Sequence, residues 1–179
     1  MSFHPFRHFI TITKHKNMVM KYCFKIGLIR QGLLHDLSKY LPSEFWVGAR
    51  YYQGDRSPNN AEREDIGYSS AWLHHKGCNK HHYEYWIDYS AKDNDGSVCP
   101  IRMPKKYVAE MMMDRLAASK IYKGKDYNDN CPLEYYNLGK NKRIIHPDTK
   151  RDMEKMLMLL SEKGEEAFLR YVKEEYLKR

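Results

Sequence analysis

The chain has 179 residues, of which 42% are hydrophobic and 13% aromatic, and its formal net charge is +8. This length fits one domain with a sizeable core, and the hydrophobic content excludes a disordered chain. The charge favours anionic partners, but the lysines and arginines are dispersed and form no recognisable nucleic-acid-binding motif, so a small phosphorylated substrate suits it at least as well. We predict a single domain over residues 1–179.

The cysteines and the hydropathy pattern narrow the class further. Cys23, Cys78, Cys99 and Cys131 are widely spaced with no CxxC pair, which argues against a zinc ribbon or a redox dithiol. No 18 consecutive residues are apolar, and the N-terminal segment is interrupted by His, Pro, Arg and Lys before any apolar run of signal length. We therefore expect a cytoplasmic protein with reduced thiols and no membrane segment; its oligomeric state stays open.

The apolar spacing is mostly helical, so we predict an all-α fold built as a single-domain helical bundle. In the first half, His15 lies on the apolar stripe of the first helix, and Gly27 suits the residue after its end. The predicted elements are a helix over 13–26, a helix over 28–40 that carries His35 and Asp36, a helix over 44–52 with Ser43 as N-cap, a loop over 53–60, and a helix over 61–75 that stops at Gly77.

In the second half, Pro104 suits the first residue of a helix that runs to about Tyr122. The other predicted elements are a short helix over 81–89, a long loop over 90–103 that borders a pocket, a loop over 124–147, and two terminal helices over 148–164 and 165–179. The terminal helices carry apolar rows that we assign to the core, namely Met153, Met156, Leu157, Leu160, Phe168, Val172 and Tyr176.

Histidine is unusually concentrated in "HHKGCNKHH", residues 74–82, which holds four of the nine histidines between aromatic residues. Such a run is either a solvated helix end or a partly buried group whose imidazoles need partners. Asp114 shares a helix face with apolar residues, where an ionised carboxylate is costly unless it is paired or binds a metal. Imidazole with carboxylate suits Fe, Mn, Ni, Co or Zn. The candidate metal ligands are His15, His35, Asp36, His74, His75, His81, His82 and Asp114.

The order His, His-Asp, His, His, Asp resembles the HD-domain superfamily of metal-dependent phosphohydrolases, an all-helical fold. The segments "GLLHDLSKYLPSEF", "GYSSAWLHHKGCNKHHYEYW" and "MPKKYVAEMMMDRLAASKIY" look like a smaller, essentially uncharacterised bacterial family of HD-like proteins, and the resemblance covers roughly residues 10–175. It implies that His15, His35, Asp36 and Asp114 bind one metal, with Asp36 bridging to a second. One member of each histidine pair, His74 or His75 and His81 or His82, would complete the second site.

The resemblance implies hydrolysis of a nucleotide-like phosphomonoester or phosphodiester by a metal-activated water, with one or two divalent ions. Asp36 would hold the hydroxide or accept its proton, and Lys39 would stabilise the phosphate. Lys39 stands where we expect an acid in the nucleotidase branch, which puts that branch's deoxynucleotide specificity in doubt. The alternatives are an HD-fold di-iron oxygenase, which uses four His and two Asp, and a non-catalytic metal-containing ligand-binding module.

Three further residues have open roles at this point. Glu44 is either a base behind the metal ligands or the acid favoured in the first turn of a helix. Arg115 and Lys120 flank the face of Asp114, and we expect both to be exposed to solvent rather than to meet an anion.

Overall fold

The computed structural model of the chain describes residues 3–90, 96–139 and 143–178. Within these ranges the protein is mostly helical, as predicted, with one small sheet that was not predicted. The α-helices are α1 (Pro5–Lys25), α2 (Ile29–Leu34), α3 (Pro42–Arg50), α4 (Pro58–Ile66), α5 (Ser70–Cys78), α6 (Lys105–Lys123), α7 (Cys131–Asn137) and α8 (Pro147–Tyr171). The strands β1 (Ile87–Tyr89) and β2 (Val98–Pro100) pair antiparallel, with Asp88 opposite Cys99.

The hydrophobic core lies between α1, α6 and α8. Val19 on α1, Leu116 on α6 and Leu157 on α8 are completely buried and belong to one apolar cluster. The predicted core rows of the last helices are confirmed: Met153, Met156, Leu157, Leu160, Phe168, Val172 and Tyr176 are all buried. The core therefore anchors the two long helices that also carry His15 and Asp114.

The second predicted helix is broken at the two residues that matter most for the site. α2 ends at Leu34, His35 adopts extended dihedrals (φ −53°, ψ 127°), and Asp36 is left-handed (φ 54°, ψ 26°). Among the described residues, Asp36 is the only one other than glycine with a positive φ, a conformation that a short polar side chain tolerates. A 3₁₀ turn, Leu37–Tyr40, follows, so the prediction of one helix over 28–40 is wrong.

Helix starts in the first half also differ from the predictions. α1 begins at Pro5 and α3 at Pro42, because proline fits the first turn, where its missing N–H has no partner to lose. Ser43 is thus inside α3 and is not its N-cap. The predicted helix over 61–75 is two helices, since Gly67 adopts φ 86° and ends α4. α4 starts at Pro58, within the predicted loop over 53–60.

The second half shows the same kind of difference. Residues 81–89 form a 3₁₀ turn, Tyr83–Tyr85, followed by β1, and the predicted loop over 90–103 contains β2. The predicted loop over 124–147 contains a 3₁₀ turn, Gly124–Asp126, and α7. Residues 91–95 and 140–142 of these two loops lie outside the described residues, as do residues 1, 2 and 179 of the predicted domain.

The remaining helices agree well with the predictions. Pro104 directly precedes α6, which ends close to the predicted residue. The break between the terminal helices is confirmed at Gly164, which is non-helical (φ 80°, ψ 173°) within α8, and a π-helical segment, Val172–Tyr176, follows. In the part of the chain that the structure describes, every helix is too short or too polar to cross a bilayer.

Candidate metal centre

Histidines and carboxylates from four regions of the chain meet in one place. α1 supplies His15 through its buried stripe, and α6 supplies Asp114. The broken turn after α2 supplies His35 and Asp36, and the left-handed backbone of Asp36 turns the chain there. The last region comprises the end of α5 and the residues that follow it, with His75, His81 and His82.

A first group consists of His15, His35, Asp36 and Asp114, whose donor atoms all lie within 4.8 Å of one another. His15 Nε2 lies 2.9 Å from Asp114 Oδ1 and 3.5 Å from Asp36 Oδ2. His35 Nε2 lies 3.3 Å from Asp36 Oδ2 and 3.6 Å from Asp114 Oδ1. Two ligands that share an ion at bond lengths near 2.1 Å stand about 3.0–3.4 Å apart, so these spacings match a metal site. This is the set implied for the first ion.

A second group consists of Asp36, His75, His81 and His82. Asp36 Oδ1 lies 3.4 Å from His75 Nε2 and 3.3 Å from His81 Nε2, and the Nε2 atoms of His75 and His82 are 2.9 Å apart. Asp36 therefore presents Oδ2 to the first group and Oδ1 to the second. The carboxylate implied as a bridge stands between the two groups.

Buried donor atoms in both groups are left without hydrogen bonds. The Nε2 atoms of His15, His35 and His81, and Oδ1 of Asp36, have no hydrogen-bond partner within the described residues. A buried polar atom without a partner costs about 1–3 kcal/mol, which explains why such atoms are rare. Ligation of a cation would satisfy all four, and the donor set of imidazoles and carboxylates fits a divalent transition metal.

Two glutamates hold the imidazoles from the outside. Glu110 Oε1 accepts hydrogen bonds from Nδ1 of His35 at 3.0 Å and from Nδ1 of His81 at 3.2 Å. Glu44 accepts from Nδ1 of His75 at 2.8 Å and from Nδ1 of His74 at 2.6 Å. These bonds leave the Nε2 atoms of His35, His75 and His81 free to face the centre, which is the usual arrangement behind metal-bound histidine.

Glu110 was not among the residues that the sequence indicated. It lies one helical turn before Asp114 on α6, and it is 5% exposed. That spacing, i and i+4 on one helix face, was the available signal. For Glu44 the structure favours the role of a base behind the metal ligands over that of a first-turn acid. Each of its two carboxylate oxygens accepts a hydrogen bond from a histidine.

The histidine pairs are not used symmetrically. The side chain of His74 is 35% exposed and contacts Glu44 and the thiol of Cys78, so it joins neither group. His74 and His75 are neighbours on α5, where successive side chains point about 100° apart, so one faces the centre and the other faces away. His81 and His82 both join the second group, because they lie in the irregular segment after α5 rather than on a helix.

Burial and neighbouring side chains set the protonation states of the groups in the centre. Burial acts to raise the pKa of Asp36, but His35 and Lys39 hold it well below its usual range. Burial, followed by the neighbouring His81 and His75, lowers the pKa of His82 well below its usual range and keeps its imidazole neutral. A carboxylate that stays ionised beside a neutral imidazole is the combination that binds a cation.

A cleft of about 580 Å³ opens onto the centre and is lined by His15, His75, His82 and Asp114. Lys39 also lines it, with its Nζ 2.6 Å from Asp36 Oδ2. The expected exposure of Arg115 and Lys120 is wrong. Both are half-buried, because Arg115 lines this cleft and Lys120 pairs with Glu165.

Comparison with known proteins gives one match. The sequence profile of a family of unknown function, DUF5662, matches residues 4–159 of the chain. A search of the curated proteins found no match, and a search of the solved structures found none.

Proposed function

The chain belongs to the DUF5662 family, whose function is unknown, and we propose that it is an HD-type, metal-dependent phosphohydrolase. The substrate we propose is a nucleotide-like phosphomonoester or phosphodiester. One observation carries the proposal. The two groups of candidate ligands share the carboxylate of Asp36, and the cleft beside them also presents the ammonium of Lys39.

The residues that would hold the ions are His15, His35, Asp36 and Asp114 for one, and Asp36, His75, His81 and His82 for the other. When bound, a divalent transition metal supplies Lewis acidity and lowers the pKa of water so that hydroxide forms near neutral pH.

The chain's own residues have distinct tasks in this reaction. Lys39 points its ammonium at the cleft, where it binds a phosphate oxygen and offsets the charge that develops there. Asp36 lies between the two groups and positions the attacking water by sharing its carboxylate between them. Glu110 and Glu44 keep the imidazoles in the orientation that leaves Nε2 inside.

The position of the Lys39 ammonium favours phosphate hydrolysis over the di-iron oxygenase that has the same ligand order. The Lys39 side chain is 28% exposed and lies directly beside the bridging carboxylate, where a bound phosphate would meet it.

The test compares two adjacent histidines. We expect protein purified without an affinity metal column to hold about two transition-metal ions per chain. His75→Ala should fall to about one ion and lose most phosphatase activity, whereas the matched variant His74→Ala should keep both. Asp36→Ala should lose metal and activity together while its circular dichroism stays helical.

Two results would contradict the proposal. Full metal occupancy in Asp36→Ala would show that the shared carboxylate is not a ligand. Metal-loaded wild type that hydrolyses neither phosphomonoesters nor phosphodiesters, but consumes oxygen, would favour the oxygenase. Element-resolved mass spectrometry and phosphate release give these answers on the same samples.

A further inference from the structure

Two buried polar atoms in the cleft are not used by the proposed reaction. Oε2 of Glu84 and Nε of Arg115 are fully shielded from solvent, and neither has a hydrogen-bond partner within the described residues. Both side chains line the cleft that opens onto the metal centre. Such atoms in a cleft mark a place where a ligand completes the hydrogen bonding.

The positions of these two residues place them beside the centre. Arg115 follows Asp114 on α6, and Glu84 lies in the 3₁₀ turn that begins directly after His82. Tyr83, which directly precedes Glu84 in the chain, also lines the cleft. The three side chains therefore line the same cleft as the metal ligands His82 and Asp114.

The chemistry of the pair defines what it binds. An ionised carboxylate only accepts hydrogen bonds, and a guanidinium only donates them. A ligand that satisfies both must present an N–H donor close to an acceptor oxygen or nitrogen. The edge of a nucleobase has this arrangement, and Tyr83 places an aromatic side chain in the same cleft for its flat ring.

We propose that Glu84 and Arg115 form a second subsite of the cleft, which binds the edge of a nucleobase while the phosphate of the same molecule lies at the metal centre. This inference deepens the proposed function and rests on it for the position of the phosphate. It makes the substrate a nucleotide rather than a simple phosphate ester, because Oε2 of Glu84 and Nε of Arg115 stay unsatisfied without a base.

The test is a binding measurement on the full chain loaded with Mn²⁺. The probes are non-hydrolysable phosphonate analogues of the four common 5′-ribonucleotides, with benzylphosphonate as the ligand that has a ring but no polar edge. We expect at least one nucleotide analogue to bind the wild type roughly tenfold or more tightly than benzylphosphonate, because a site built around polar groups rejects a ligand that leaves them unpaired.

Glu84→Gln should weaken the binding of that nucleotide analogue by about tenfold or more, since the amide places a donor where only an acceptor fits. The affinity for benzylphosphonate should stay within about twofold of the wild-type value. Arg115→Met should act in the same way. Glu162→Gln, an exposed position on α8, is the control and should change neither affinity. Metal content of each variant shows whether the centre is intact.

Equal affinity of the wild type for nucleotide analogues and benzylphosphonate would overturn the subsite. An equal loss of affinity for both ligands in Glu84→Gln would also overturn it. Failure of the proposed reaction is a separate result. It would consist of a protein that binds a nucleotide analogue more tightly than benzylphosphonate, as expected, and yet does not hydrolyse the natural 5′-ribonucleotides. In that case the subsite stands and the hydrolase proposal does not.

Discussion

Glu110 supports both groups of candidate ligands. One of its oxygens accepts hydrogen bonds from His35, which serves the first group, and from His81, which serves the second. Burial acts to raise the pKa of Glu110, but its hydrogen bonds with these two histidines lower it, so the carboxylate stays ionised. A charge at this position fixes which ring nitrogen carries the proton in both histidines.

We predict that Glu110→Gln lowers metal affinity by about 10–100-fold, because the amide loses the charge that orients His35 and His81. Titration of metal-free protein against a competing chelator measures the effect. Glu166→Gln, an exposed change on α8, is the matched control. Unchanged affinity in Glu110→Gln would show that the imidazoles are held by packing alone.

At the residue scale, much of the candidate site could be predicted from the sequence. His15, His35, Asp36 and Asp114 were proposed as one set, and the structure brings them together. Glu110 was missed because its only signal is the i, i+4 spacing to Asp114, and it stands beside a run of methionines that indicates core. The sequence also could not choose between His74 and His75, because the choice depends on how α5 is oriented relative to the centre.

The junction between α4 and α5 is the element that places His75. Glu62 in the middle of α4 is 2% exposed, and its carboxylate accepts hydrogen bonds from the Ser69 hydroxyl and from the Ser70 amide and hydroxyl. Gly67 makes the turn between the helices. The start of α5, and with it the direction of His75, is thus tied to one buried acid.

We predict that Glu62→Ala lowers the free energy of unfolding by about 2–4 kcal/mol, because several charge-assisted hydrogen bonds are lost and the Ser69 hydroxyl stays buried. Glu64→Ala is the control on the same helix. Glu64 pairs with Arg56 on the surface, and such a pair contributes at most about 1 kcal/mol. Urea unfolding of metal-free protein measures both changes, and similar losses would contradict the assigned role of Glu62.

Helix content was predictable at the element scale, whereas the breaks were not. The apolar spacing continues through residues 28–40 and 61–75, so periodicity alone joins what the structure divides. The division at Asp36 has no local sequence signal, since aspartate tolerates the left-handed region without requiring it. The two strands were missed because three residues are too few to show alternation.

On the scale of the whole molecule, the apolar core and the candidate metal centre meet at Met111, a buried core residue that also lines the cleft. The core between α1, α6 and α8 completely buries Val19, Leu116 and Leu157, whose side chains are apolar. Because these contacts are apolar, we expect the helix packing to persist without ligation. The family match over residues 4–159 includes both parts.

We predict that chelation silences the protein without unfolding it. Each ion at about 100 times its dissociation constant stabilises the fold by about 2.7 kcal/mol, so two ions contribute about 5.4 kcal/mol. For a chain of this size, removing that amount lowers the Tm by about 11–22 °C while the helical circular dichroism at 20 °C stays. Unfolding on chelation would instead identify a structural metal and favour the non-catalytic alternative. Scanning calorimetry with and without a chelator measures the shift.

The shared position of Asp36 has a consequence for how the cleft attracts its substrate. The carboxylates around the centre are Asp36, Asp114, Glu44 and Glu110, and Lys39 is the cation beside them. With every imidazole neutral, as a metal ligand must be, four negative groups against one positive group give the ligand set three negative charges. One divalent ion leaves this set negative, and only a second reverses the sign. The ligand set therefore attracts a phosphate only when both positions are filled.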